Sequence, residues 1–185
     1  IRGLVGRDAS SLDAAELRSG AVESAAENLA DGLVAPLLAF ALGAQVSLAA
    51  AAGAAAWVKA VNTLDSMLGY PSKPHGTASA RLDDAVMWLP ARASALLLAV
   101  AARDPGALRR GAAWAHAPSS PNSGWPMATL AAALDVHLRK PGAYDLNPTA
   151  GLPTVDEARR GVGVVADAGG FAALLAAVLA GVGTW

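Results

Sequence analysis

The chain has 185 residues, of which 54% are hydrophobic and only 16% are charged, and its formal net charge is −1. Soluble domains usually carry about 25% charged residues. Neither a disordered charged tail nor a nucleic-acid-binding protein with a positive field fits this composition. The absence of cysteine excludes disulfides, zinc–thiolate sites and cysteine nucleophiles.

The start of the chain indicates a fragment of a longer protein. The first residue is Ile1, and no signal-peptide pattern follows it. We therefore expect a fragment rather than a processed chain. The first predicted helix begins near Asp13, with Ser11 or Asp13 as its N-cap.

The longest apolar run extends from Leu33 to Val58, 26 residues without a charge. As one helix it would be about 39 Å long, which exceeds the roughly 30 Å of bilayer hydrocarbon. The run therefore predicts either a tilted span or a hairpin broken at Gly43 or Gly53.

Two further runs follow. The run from Ala85 to Ala102 is a weaker span because it contains Pro90 and Arg92, whereas Gly161 to Trp185 carries a single charge. The shorter apolar stretch from Met127 to Val136 cannot cross alone. The small residues in these runs suit close helix contact in lipid.

These patterns predict an all-α, polytopic integral-membrane helical bundle with polar loops and partly amphipathic helices, forming one domain over residues 1–185. No stretch alternates with period two, and Pro/Gly-rich segments such as Pro141 to Pro153 predict loops. Trp57, Trp88 and Trp185 lie at the edges of the runs, where indoles favour the headgroup boundary. The alternative is a soluble, alanine-rich bundle.

The charge of the segment from Arg103 to Lys140 bears on topology. It holds five cations and two anions, so at least part of it is expected to be cytoplasmic.

The polar residues fall in blocks beside the apolar runs, where ionisable residues are costly and therefore candidates for function. In the first block, Glu23, Glu27 and Asp31 have i, i+4, i+8 spacing, which predicts three carboxylates on one helix face. Their repulsion requires water, a cation or facing basic groups. A solvated helix face is the alternative.

Further blocks follow the long run and precede the second. Lys59, Asn62, Asp65 and Ser66 recur at helical spacing. In the segment from Arg81 to Arg92, the adjacent pair Asp83 and Asp84 beside arginine predicts a Mg²⁺ and phosphate site. A helix cap is the alternative for the two aspartates.

The last block is the loop from Ser120 to Pro126, whose prolines, hydroxyls and amide predict a shaped turn that holds a ligand. The alternative is a helix entry with Pro126 at N1. If residues 85–102 crossed the bilayer, this loop and Asp83–Asp84 would lie on opposite faces. We expect them on one side, with 85–102 dipping in and returning or shielded by other helices.

Taken together, in order and spacing over roughly residues 3 to 135, the blocks resemble the CobD/CbiB family, integral-membrane adenosylcobinamide-phosphate synthases of cobalamin biosynthesis. The matching stretches are Gly6-Arg7-Asp8; Glu23-Ser24 with Glu27-Asn28, Asp31-Gly32 and Ala35-Pro36-Leu37; Lys59-Ala60 with Asn62 to Met67 and Gly69-Tyr70; Ala80 to Asp84 with Trp88 and Pro90-Ala91-Arg92; and Ser120 to Pro126.

The resemblance implies a C–N bond-forming ligase that joins the carboxylate of adenosylcobyric acid to (R)-1-amino-2-propanol phosphate, or an ethanolamine analogue, with ATP as co-substrate. It implies a multi-pass protein of the cell membrane, with the corrinoid, the amino-alcohol phosphate and other membrane enzymes of the late pathway as partners. Family members begin with further hydrophobic helices, which this chain lacks. Many have Glu where Met127 stands, so that carboxylate is missing here.

Phosphoryl transfer from ATP would activate the carboxylate, and that step needs Mg²⁺ and cations. Residue type then suggests individual roles: the metal is assigned to Asp65, Asp83 and Asp84. Substrate and phosphate binding is assigned to Arg7, Lys59, Asn62, Arg81, Arg92, Ser120 and Asn122. Catalysis is assigned to Glu23, Glu27, Asn28 and Asp31, with Glu23 or Glu27 accepting the proton of the attacking ammonium.

Three other readings stay open on sequence alone. The first is a non-enzymatic membrane sensor on the same scaffold, typified by AmpE, although such a scaffold does not need the polar blocks. The second is a transporter or channel with ion-binding carboxylates, which should show pseudo-symmetric halves. The third is a soluble helical interaction module.

Overall fold

The computed structural model describes residues 12–69 and 76–182, so Arg7 and Trp185 lie outside the described residues. The described part is mostly helical, which confirms the predicted all-α class. Its elements are α1 (Ala14–Asn28), a π-helical segment (Leu29–Val34), α2 (Ala35–Ala44), α3 (Leu48–Leu68), α4 (Gly76–Val86), α5 (Trp88–Ala101), α6 (Gly106–Gly111), α7 (Gly124–Leu134), β1 (Leu138–Lys140), β2 (Tyr144–Leu146) and α8 (Val155–Val182).

Helix α1 begins after Asp13, one of the two predicted N-caps. The Asp13 carboxylate accepts hydrogen bonds from the backbone N–H groups of Ala15 and Glu16, both at 2.8 Å. The Glu16 carboxylate accepts in return from the Asp13 N–H at 3.1 Å. This reciprocal capping box satisfies N–H groups that the first turn of a helix leaves free. The helix then runs through the π-helical segment into α2.

The apolar run from Leu33 to Val58 forms a hairpin, which was one of the two predicted arrangements; the other was a single tilted span. The break follows Gly43, whereas Gly53 lies inside α3. A Cβ at Gly43 would lie 2.6 Å from the Ala50 carbonyl oxygen and 2.7 Å from Ala51 Cα, so α2 and α3 meet at backbone distance there. The hairpin tip contacts α8, because Gln45 Nε2 donates to the Leu179 carbonyl at 2.7 Å.

Helices α4 and α5 form a pair bent by 47° around Met87. Pro90 explains the break, since its ring excludes a helical contact with the carbonyl of Val86, the last residue of α4. The exposed indoles of Trp57 and Trp88 agree with their predicted positions at run edges.

Within residues 12–69 and 76–182, two helical stretches are long and apolar enough to cross a membrane, Ala14–Ala44 and α8, and the bent pair α4–α5 would be a third if it acts as one span. These stretches support the predicted membrane protein. The first candidate span begins at Ala14, whereas the predicted span began at Leu33. The two differ because the π-helical segment joins the polar helix α1 to the apolar helix α2 without a turn.

The core forms around α7, where all residues except Trp125 are buried, against α1, α5 and α8. After α7 the chain forms a β-hairpin in which Leu138 pairs with Leu146, with both side chains buried. The sequence analysis predicted no strand, and it placed residues 144–146 in a loop. Strands of three residues are too short to show period-two alternation.

Candidate active site

A polar cavity of about 140 Å³ lies where α1 and the π-helical segment, α3, α4 and the loop before α7 converge. Larger cavities exist in the described part of the chain, but apolar side chains dominate their walls. Only Met87 is apolar among the residues that line this one: Glu27, Asp31, Asn62, Asp65, Ser66, Asp83, Met87, Ser120, Asn122 and Ser123.

The first carboxylate block divides between two places. Glu27 and Asp31 line the cavity, whereas Glu23 is buried and accepts hydrogen bonds from Ser19 Oγ at 2.9 Å and from the Tyr144 hydroxyl at 2.7 Å. Glu23 therefore fastens β2 to α1 rather than lining the cavity. The prediction that the acids share one helix face is therefore correct for Glu27 and Asp31 only. The π-helical segment begins between these two residues, and π-helical turns are frequent at functional sites.

Asn62 joins three parts of the site. Its side chain lines the cavity together with Asp31 and Asp83, and its Oδ1 accepts from Lys59 Nζ at 3.1 Å. One residue of α3 thereby lies in the same cavity wall as an acid of the π-helical segment and an acid of α4. The Lys59 ammonium group is hydrogen-bonded to the same side chain.

Asp65 and Asp83 each keep an unsatisfied oxygen. Both Oδ1 atoms are buried and have no hydrogen-bond partner among the described residues. Burial raises the pKa of the Asp65 carboxyl above its ordinary value, because a low-dielectric surrounding disfavours the charged form. Both aspartates line the cavity, and an unsatisfied carboxylate oxygen is a group that a bound cation or a donor could satisfy.

The loop before α7 is fastened to the acid block. Asn122 is buried; its Nδ2 donates to the Asp84 carbonyl at 2.8 Å, and its Oδ1 accepts from Arg92 at 2.7 Å. Ser120 Oγ lies 3.5 Å from Asp84 Oδ1. Asp84 and this loop thus lie together, as the predicted placement of both blocks on one side requires.

The predicted phosphate-binding cations differ in their surroundings. Lys59 and Arg81 are exposed. Arg92 donates to the Trp88 carbonyl as well as to Asn122, and its guanidinium lies 4.5 Å and 5.2 Å from the ring centres of Trp88 and Trp125. Arg92 is therefore engaged in holding the loop. The prediction for Arg7 lies outside the described residues.

Asn28 is exposed and does not line the cavity. Three lining residues were not among the predicted site residues: Ser66, Ser123 and Met87. Ser66 and Ser123 belong to the polar blocks, so their helical or loop spacing could have identified them. An apolar side chain such as Met87 gives no such signal.

The donor set suits Mg²⁺ only in part. In residues 12–69 and 76–182, no three Asp, Glu or His side chains are grouped to hold one metal ion. Mg²⁺ is commonly bound by one or two carboxylates together with phosphate oxygens and water. Asp65 and Asp83, with their unsatisfied oxygens, could supply such carboxylates, and the predicted metal role of Asp65, Asp83 and Asp84 stays a prediction.

Comparison with known proteins bears on the resemblance seen in the sequence. A family model described as CobD/Cbib protein matches residues 1–168. The chain belongs to this family. The resemblance drawn from the polar blocks is thus confirmed, and the match extends beyond residue 135, where those blocks end.

Curated CobD/CbiB relatives resemble the chain over most of its length. Cobalamin biosynthesis protein CobD of Klebsiella pneumoniae is 46% identical over 150 residues, which cover 76% of this chain and 44% of the relative. The probable CobD of Methanothrix thermoacetophila is 38% identical over 181 residues, covering 95% and 57%. CbiB of Salmonella typhimurium is 41% identical over 170 residues, covering 87% and 50%. The chain spans about half the length of these relatives, and no solved structure matches it.

Proposed function

We propose that this CobD/CbiB chain acts in cobalamin biosynthesis as part of a multi-pass enzyme of the cell membrane. The reaction is the ATP-dependent ligation of adenosylcobyric acid with (R)-1-amino-2-propanol phosphate, or ethanolamine phosphate, to give adenosylcobinamide phosphate. The observation that carries the proposal is the cavity in which Glu27, Asp31, Asp65 and Asp83 converge with Asn62 and Asn122. The names of the relatives, cobalamin biosynthesis proteins CobD and CbiB, support the pathway.

The chemistry needs an activated carboxylate. A corrinoid carboxylate oxygen attacks the γ-phosphorus of ATP, the bond to the bridging oxygen breaks, and ADP leaves. The amine nitrogen then attacks the acyl carbon, phosphate leaves, and the nitrogen loses a proton as the amide forms. Both phosphate-bearing steps spread negative charge that cations must offset.

The residues of the cavity suit this sequence. Lys59, hydrogen-bonded to Asn62, and Arg81 on α4 are exposed cations on helices that contribute to the cavity wall, and they would meet phosphate oxygens of the substrates. Glu27 or Asp31 would accept the proton that the amine loses. Mg²⁺ on Asp65 and Asp83, when bound, would supply charge neutralisation for the phosphates.

The loop carrying Asn122 would set the shape of the site. Its contacts to Asp84 and Arg92 hold Ser120 and Ser123 against the acids. A fixed loop keeps reactants at attack distance, which is a large part of ligation catalysis.

Complementation tests the proposal. The complete gene is placed in a strain that requires cobinamide phosphate, and corrinoids are identified by mass spectrometry. We expect adenosylcobinamide phosphate to appear and adenosylcobyric acid to fall. A membrane-inserted product that leaves the adenosylcobyric acid pool unchanged would refute the proposed reaction.

A further inference from the structure

The two legs of the α2–α3 hairpin are too short to cross a bilayer. The sequence carries no charge between Asp31 and Lys59, and the chain turns back after Ala44. Each leg, residues 33–44 and residues 47–58, is therefore an uncharged segment of about 17 Å. The hydrocarbon of a bilayer is roughly 30 Å thick, and apolar segments of about 10–14 residues are more typical of buried or re-entrant helices than of spans.

The hairpin has a polar base and an apolar tip. At the base, Asp31 lies before the first leg and Asn62 after the second, and both line the polar cavity. At the tip, the side chain of Val46 is 81% exposed, and those of Leu42 and Leu48 are more than half exposed. Large apolar side chains exposed together mark a surface for a membrane or another apolar partner. The tip of the hairpin, and not its base, is therefore suited to apolar surroundings.

The polar groups of the turn at the tip are paired within the protein. The backbone N–H groups of residues 45–47 all donate to carbonyls of the preceding helical turn, at 2.9–3.2 Å. Gln45 Nε2 donates to the Leu179 carbonyl of α8, and Ser47 Oγ accepts from the Ala50 N–H at 3.1 Å. Because hydrocarbon offers no water, polar groups placed there need partners within the protein. These groups of the turn meet that requirement.

Two exposed indoles lie at the base of the hairpin. Trp57 is near the end of the second leg, and Trp88 begins α5. Leu89, which follows Trp88, lines one apolar groove together with Trp57. The tip, residues 42–48, contains no aromatic residue. Since indoles favour the boundary between lipid and water, the hairpin carries the mark of one such boundary, at its base.

Helix α5 lies across the base of the hairpin. Met87, which precedes this helix, belongs to one apolar cluster with Val58 of α3. Nine residues later, Leu96 lines a groove together with Ala176 of α8. Because the neighbours change from α3 to α8 along its length, α5 crosses the first leg rather than running beside it. The exposed side chains of Leu89 and Leu96 line grooves shared with the hairpin, so this face of α5 continues the apolar surface of the legs.

We infer that the α2–α3 hairpin is re-entrant: it inserts among the acyl chains of one leaflet and returns to the side on which the polar cavity lies. The tip then lies near the middle of the bilayer, about 17 Å from the base. Helix α5 lies along the same membrane surface. The inference does not depend on the proposed ligase reaction.

Depth-dependent fluorescence quenching tests the hairpin in the complete gene product in lipid vesicles. The 185 residues contain no cysteine, so a single bimane label can be attached at Ala56→Cys, Ala52→Cys or Val46→Cys, which are exposed positions from base to tip. Any cysteine elsewhere in the gene product is changed to serine. The vesicles contain lipids brominated either near the headgroup or near the end of the acyl chain.

The ratio of deep to shallow quenching should rise at each step from Ala56→Cys to Val46→Cys, by about threefold or more in total, because the two positions are about 15 Å apart along the helix. The matched control is Ala143→Cys, an exposed position in the turn between β1 and β2. Neither brominated lipid should quench its label.

Two quenching results would overturn the inference. A ratio that peaks at Ala52→Cys and falls again at Val46→Cys would show a hairpin that crosses the bilayer. A Val46→Cys label that neither lipid quenches would show that water or protein, and not lipid, covers the tip.

A membrane-impermeant maleimide, applied to either side of sealed vesicles, gives an independent measurement. It should label Ala143→Cys from one side and leave Val46→Cys unlabelled from both. Labelling of Val46→Cys from either side would also overturn the inference. Ligation has no part in either readout, so failure here is distinct from failure of the proposed reaction.

Discussion

Asn122 offers the sharpest perturbation of the candidate site, because one buried side chain joins the loop to both Asp84 and Arg92. Asn122→Ala leaves the Asp84 carbonyl and the Arg92 guanidinium without their 2.8 Å and 2.7 Å hydrogen bonds. A neutral hydrogen bond contributes about 0.5–1.5 kcal/mol and one to a charged group about 1.5–3 kcal/mol, so the unfolding free energy should fall by roughly 2–4 kcal/mol.

The ligation activity of Asn122→Ala should fall by more than its loss of folded protein explains. With the loop released, Ser120 and Ser123 leave the cavity wall, and ligation should drop even below the unfolding temperature. Thermal unfolding in detergent and amide formation by mass spectrometry measure the two effects. Unchanged ligation by folded Asn122→Ala would refute the role of the loop.

A matched control, Asn147→Ala, separates the effect of releasing the loop from the effect of lower stability. Asn147 is also buried; its Nδ2 donates to Asp135 at 3.2 Å, and its φ of 52° is left-handed. Asn147→Ala should cost roughly 2–3 kcal/mol from the lost bond and the strained backbone. Since Asn147 lies outside the cavity, its folded fraction should ligate normally; an equal loss of ligation in both variants would point to general destabilisation.

Three further variants test other parts of the structure. Asp65→Asn should raise the unfolding temperature at neutral pH: burial raises the folded-state pKa of Asp65, so the stability gained from its proton is present at low pH and lost as pH rises. The rise in unfolding temperature should vanish below about pH 4. The control Asp156→Asn changes an exposed side chain and should not raise the unfolding temperature. Gly43→Ala should destabilise by about 1–3 kcal/mol through contact with the α3 backbone, whereas Gly53→Ala, in open space, should stabilise by about 0.5–1 kcal/mol; equal thermal shifts would contradict the close approach. Tyr144→Phe removes the hydroxyl group that donates a hydrogen bond to Glu23, so the free energy of unfolding should fall by about 1.5–3 kcal/mol, while the folded fraction ligates normally. An unaltered melting curve would argue that this hydrogen bond does not fasten β2 to α1.

Local signals in the sequence predicted much of the helical framework. Asp13 is a good cap because a carboxylate can reach two free N–H groups of the first turn. The break near Gly43 follows from a run too long for one span and a residue that permits close backbone contact. The three-residue strands β1 and β2 escaped prediction because nothing in so short a segment distinguishes a strand from a loop.

The composition of the candidate site was partly predictable and its geometry was not. Glu27, Asp31, Asp65, Asp83, Ser120 and Asn122 were chosen as polar residues beside apolar runs, and they line one cavity. The position of Glu23 depends on Tyr144, which is 121 residues away. The engagement of Arg92 with Asn122 across 30 residues is likewise a tertiary contact that helical spacing cannot reveal.

The most direct test of the central claim is the amount of adenosylcobinamide phosphate formed per ADP released by the purified complete gene product, for the wild type and for Asp83→Asn. The wild type should form one amide for each ADP, because the acyl phosphate is consumed by the amine. Asp83→Asn should reach the membrane at the same level and form almost no amide, since it removes a carboxylate with a free oxygen from the cavity. Amide formation by Asp83→Asn at the wild-type rate would contradict the assignment of ligation to this cavity.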